Sequence, residues 1–129
     1  MADMSQLKQF ATGAVRSRDA DMYRYDLVTP IGMRRLAETY AEGAEKYGVD
    51  NWKKGIPASD LVNHALRHIF LYLAGDTSED HPAHAVWNLM TLMHFEETRR
   101  DLLDCGPMAR NLRKEDEHGK TDETGRGVC

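Results

Sequence analysis

Cysteine is scarce in this 129-residue chain: Cys105 and Cys129 are the two it has. Neither belongs to a C-x-x-C pair, and no structural bridge between the two is expected in a reducing compartment. Long apolar runs are missing as well. No stretch approaches the ~20 residues that a membrane span needs. The N-terminal M-A-D-M-S-Q-L-K lacks the charged, apolar and small-residue blocks of a secretory signal. A cytoplasmic protein with no membrane partner is expected. Basic excess is also absent: 17 Lys and Arg against 21 Asp and Glu give a net charge of -4, which argues against a nucleic-acid partner. An acidic chain still binds phosphates if it recruits a divalent cation.

Several chemical signatures are absent too. There is no G-x-x-x-x-G-K-[ST], no G-x-G-x-x-G after a strand and no G-x-S-x-G. No His-Asp dipeptide occurs, which disfavours the metal phosphohydrolases built on that pair. No internal repeat is evident.

What is present is concentrated between Tyr40 and Asn88. The runs Y-A-E-G-A-E-K-Y-G-V-D-N-W-K-K-G, N-H-A-L-R-H and G-D-T-S-E-D-H-P-A-H-A-V-W-N bring together acids, histidines, asparagines and a Trp-Lys pair. Such density points to a charged ligand, above all a metal-bound phosphate.

The length fits one domain. Residues 1–28 show no sustained period and read as an extended arm. Met33, Leu36, Tyr40, Ala44 and Tyr47 recur at helical spacing, predicting a helix from Pro30 to Tyr47 that ends at Gly48. Ser59 is a candidate N-cap for a second helix to about Ala74, with Leu61, Val62, Ala65, Leu66, Ile69, Phe70 and Leu73 as its buried face. Pro82 suits the first turn of a third helix running to about Leu103, with Val86, Leu89, Met90 and Met93 inward. The helical domain is thus expected over 29–104. Residues 105–129 are rich in charge and poor in apolar side chains, and are expected to form a flexible polar tail. Three helices make a thin core for one chain, so a homodimer or homotetramer is expected.

Glu38, Glu42 and Glu45 share one sector of the first helix, opposite its apolar face. They form either a solvated stripe, paired with Arg34 and Lys46 at i,i+4, or an oxygen site for Mg2+ or Mn2+. His81, His84, Asn88, Thr91 and Phe95 share one face of the third helix, opposite Val86, Met90 and Met93. They line either solvent or a pocket, with Asp80 as a cap or a ligand. His64, Arg67 and His68 share the less apolar side of the second helix. H-A-L-R-H lacks the glutamate of the zinc-protease motif, so a zinc site from His64, His68, His81 and His84 is the weaker reading. Arg67 and His68 better suit phosphate or base contacts, or form a surface Arg beside partly buried histidines. Asn51, Trp52 and Lys53 either cap the core or enclose a base while Lys reaches a phosphate.

Together these runs resemble the phage and bacterial dATP/dGTP diphosphohydrolase domain, which belongs with the MazG-like all-α nucleotide pyrophosphohydrolases. Phage members include the MazZ enzymes that supply purine monophosphate to phages replacing adenine by 2-aminoadenine. The likeness runs from about Gly13 to Glu97. It implies an all-α MazG-like bundle completed by oligomerisation, acting in a phage-infected host cytoplasm if the chain is viral. The implied reaction is Mg2+- or Mn2+-dependent cleavage of dGTP or dATP between the α- and β-phosphates, giving monophosphate and pyrophosphate. Glu42 and Glu45 match the superfamily's Glu-x-x-Glu pair. The second pair, Glu-x-x-Asp, is not preserved: Pro82 stands three positions after Glu79, and Asp80 is the nearby acid. The resemblance implies Glu38, Glu42, Glu45 and Asp80 as metal ligands, the three glutamates also acting in catalysis. It further implies Lys46, Lys53 and Arg67 against the phosphates, and Asn51, Trp52, His68, His81, His84 and Asn88 around base and sugar.

Overall fold

Pro30 opens the first long helix with a fixed φ and no N–H to leave unpaired. In the computed structural model, which describes residues 6–109, this helix, α1, spans Pro30–Tyr47. Gly48 follows at φ +95°, a left-handed conformation that stops the helix without a Cβ penalty. α2 spans Ala58–Leu73 and α3 spans His81–Thr98. Short 3-10 turns lie at Tyr25–Leu27, Asn51–Lys54 and Arg100–Leu102. The fold class is all-α.

The chain divides into two compact units, Met1–Met33 and Arg34–Cys129, with the boundary inside the first turn of α1. In the first unit, the segment expected to be an extended arm contains an antiparallel hairpin. Its strands β1 (Leu7–Gln9) and β2 (Val15–Ser17) pair Leu7 with Ser17 and Gln9 with Val15. Three-residue strands carry too little alternation to register as a period.

In the second unit α2 and α3 pack against each other. Ala58, Leu61, Ala65 and His68 recur at three- and four-residue steps and form the buried face of α2. Its partner face on α3 is His81, Ala85, Asn88, Thr91 and Phe95. This reverses the sequence expectation for α3. Val86, Leu89 and Met93 are exposed, whereas the polar stripe lies inside. The interior tolerates it because each polar group has a partner. Thr91 Oγ1 donates to the Trp87 carbonyl at 2.9 Å, Asn88 Nδ2 donates to the His84 carbonyl at 2.9 Å, and His81 bonds to Asp76 and His68. On α2, Leu66, Ile69, Phe70 and Leu73, expected inside, are likewise exposed.

A second patch of core lies where α2 begins: Ala58, Leu103 and Cys105, flanked by Val62, Leu92 and Met108. Here Ser59 is not the N-cap. Pro57 occupies that position, and the Asp104 carboxylate accepts from Ser59 N at 2.8 Å and from Ser59 Oγ at 2.5 Å. An acid from a distant segment thus satisfies an orphan donor of α2. Cys105 is disulfide-bonded, against the expectation of a reduced thiol, and among the described residues no cysteine is free. Of the expected tail, residues 106–109 are helical with Ala109 buried, and 110–129 lie outside the described residues. Among the described residues no helix is long and apolar enough to cross a membrane.

Candidate functional site

α1 reaches α3 through aromatic and charged side chains. Tyr40 sits 5.8 Å from Trp87 and 6.3 Å from Trp52, ring centre to ring centre. Trp52 is held in turn by His94 at 5.1 Å and Phe95 at 6.0 Å. The Asn51–Lys54 turn that presents Trp52 starts at Asp50 in the left-handed conformation (φ 61°). It ends at Gly55, where φ is +117° and a Cβ would approach Leu102 Cδ1 to 3.1 Å. Only glycine suits that position.

Beside this wall opens a cavity of about 630 Å³, within the range of small-molecule sites. Tyr40, Trp52 and Trp87 supply its apolar side, and Glu42, Lys46, Asn51, Arg67, His68, His84 and Asn88 its polar side. The cavity thus collects the greater part of the side chains singled out from sequence. Lys53 is not among its lining residues: its ammonium lies 5.6 Å over the Trp52 ring and 3.2 Å from Asp50. Glu38 and Glu45 do not line it either. Both are exposed, and Glu38 lies 3.6 Å from Arg34. His81 and Asp80 line a second, smaller cavity, together with Arg35, Tyr72 and Asp76. Glu79 lines both.

Asp80 performs two structural tasks. Its carboxylate takes a two-pronged bond from Arg35, at 2.8 and 2.5 Å, and accepts from Ala83 N at 3.2 Å as the cap of α3. The Arg35 hydrogen bonds hold its pKa below the ordinary aspartate value.

Three histidines meet at the α2–α3 seam. His68 stacks on His84 with ring centres 4.8 Å apart, and its Nδ1 lies 2.9 Å from Nδ1 of His81. Burial, followed by the charge of His84, lowers the His68 pKa, so this imidazole is neutral at neutral pH. His84 Nδ1 faces the Asp80 carbonyl at 2.8 Å, which makes that nitrogen the donor. Its Nε2 lies 3.7 Å from the Glu42 carboxylate.

Glu42, Glu38 and Glu45 offer oxygen donors on one helix. That fits a hard ion which keeps several waters and takes one or two carboxylates plus substrate phosphates. Among the described residues no third acid joins any two of them within 4.8 Å.

Sequence reasoning passes over Tyr40 and Trp87 as the aromatic wall of the cavity, and over Glu79. Tyr40 sat in the apolar series of α1, where periodicity assigns an aromatic residue to the core. Glu79 is passed over because no acid follows it at the third position, although His68 and His81 both lie beside it.

A family model described as dATP/dGTP diphosphohydrolase, N-terminal, matches residues 12–105, well over half of the chain. No curated protein and no solved structure matches.

Proposed function

This chain belongs to the dATP/dGTP diphosphohydrolase N-terminal family, and on that footing we propose that it hydrolyses dGTP, dATP or both to the monophosphate and pyrophosphate. The observation that carries the reading is the cavity itself. One side offers aromatic faces for a purine, and the other offers Lys46 and Arg67 for phosphates beside the carboxylate of Glu42.

In the proposed reaction a water bound between Glu42 and Nε2 of His84 attacks the α-phosphorus in line with the α–β bridging oxygen. The bond between α-phosphorus and bridging oxygen breaks, Glu42 takes the water proton, and pyrophosphate leaves. Lys46 and Arg67 offset the charge that grows on the leaving group. Mg2+ or Mn2+, held by Glu42 with Glu38 or Glu45 and the substrate phosphates, would neutralise phosphate oxygens and acidify bound water. Asn51 and Asn88 supply hydrogen bonds to base or sugar.

We further propose a homodimer or homotetramer. Ile69, Phe70 and Leu73 on α2 and Val86, Leu89 and Met93 on α3 are all more than two-fifths exposed, a density of surface apolar groups that monomers rarely carry.

The test is incubation with each purine deoxynucleoside triphosphate and its ribonucleotide counterpart, in Mg2+ and in Mn2+, with products separated by ion-exchange chromatography. Monophosphate plus pyrophosphate is the expected outcome. Diphosphate plus phosphate would move the cut to the outer bond. Tight binding without turnover would make the chain a nucleotide-binding module instead.

A further inference from the structure

The geometry points to a transition-metal site formed by His68, Glu79 and His81, separate from the exposed acids of α1. The two Nδ1 atoms are 2.9 Å apart, and Glu79 Oε2 lies 4.0 Å from that of His68 and 3.9 Å from that of His81. A point equidistant from these three atoms is about 2.1 Å from each, the length of bonds from zinc to imidazole and carboxylate. Among the described residues no other group of His, Cys, Asp and Glu offers three ligand atoms so close together.

The surroundings fit a metal in two further ways. His81 is almost wholly buried, and its Nε2 lies 2.5 Å from the Asp76 carboxylate. Asp76 therefore fixes the proton on Nε2 and turns the Nδ1 lone pair toward His68. This is the carboxylate–histidine arrangement that orients metal-binding imidazoles. Without an ion, the two facing nitrogens share a single proton, which His68 donates. With an ion, His68 carries its proton on Nε2 instead, and both lone pairs coordinate.

The donor set names the class of metal. Two imidazoles and one carboxylate suit Zn2+, Co2+, Ni2+, Fe2+ or Mn2+, whereas Mg2+ and Ca2+ favour all-oxygen sites. Three protein ligands leave positions open for water or a phosphate oxygen. The location suits this, since His68 and Glu79 line the larger cavity while Glu79 and His81 line the smaller.

The test is titration of the metal-stripped full chain with Co2+, followed by its visible ligand-field absorption, with Zn2+ competition as a second readout. One equivalent of Co2+ should bind and be displaced by Zn2+. Glu79→Gln changes a half-exposed side chain and keeps the helices, as circular dichroism will verify. This variant and His68→Asn should each weaken binding by on the order of tenfold or more, and Asp76→Asn by about tenfold through the lost orienting bond. Glu42→Gln should bind Co2+ as the parent does. Absence of stoichiometric binding overturns the inference. So does parental affinity in Glu79→Gln, or a loss in Glu42→Gln as large as that in Glu79→Gln. The readout is binding alone, so this site and the hydrolysis reading stand or fall separately.

Discussion

Glu42 is the acid of α1 that reaches the cavity, and the reading of the site turns on it. Its side chain is well exposed and lies 3.7 Å from Nε2 of His84. Replacing it by Gln keeps size and hydrogen-bonding shape but removes the charge that takes a proton and draws a cation. Glu42→Gln is expected to lower turnover by about 100-fold or more and to leave the helical circular dichroism unchanged. Retained turnover would remove the residue from the chemistry. Much of the lining of the candidate site was readable at this scale, since Glu42, Lys46, Trp52, Arg67, His68, His84 and Asn88 all face one cavity. Their partners were not readable. Spacing places residues on one face of one helix, but it does not say which side chain of another segment lies opposite. The meeting of His68 with His81 and Glu79 is such a case.

Between elements, the Arg35–Asp80 pair links α1 to the first turn of α3. The bond to Arg35 lowers the Asp80 pKa in the folded chain. The folded form therefore binds fewer protons than the unfolded form between that lowered value and the ordinary aspartate value of ~3.9. The contribution is present in full above ~3.9 and is lost as pH falls through the lowered folded value. Asp80→Asn should remove this component and flatten the acid limb of a stability–pH curve measured by urea unfolding. A limb as steep as the parent's would assign the acid sensitivity to other carboxylates. The end of α3, expected near Leu103, falls at Thr98 ahead of the 3-10 turn at Arg100–Leu102, but the limits set by Pro30, Gly48 and Pro82 were legible from the sequence, because these residues act through backbone geometry alone. The faces were not. In α3 the interior is polar and the apolar residues point outward, since Asn88, Thr91 and His81 satisfy their bonds inside the fold. Hydrophobic periodicity finds a stripe, but it cannot tell a core from a surface awaiting a partner.

For the molecule as a whole, the exposed apolar groups of α2 and α3 set the expected association. Light scattering on a sizing column should give two or four chains per particle. Leu89→Glu or Ile69→Glu places a charge where apolar contact is expected and should yield monomers with parental helix content. A parent chain that elutes as a monomer would remove the assembly proposal. The same scale shows what the polar seam of α2 and α3 contributes. Purely aliphatic helix faces pass through several near-equal registers when one slides along the other. Directional bonds among His68, His81 and Asp76 have partners in one register only, and a displacement of one turn would strand all three. The seam therefore acts as an alignment key, fixing how far along its neighbour α3 sits and holding His84 opposite Glu42.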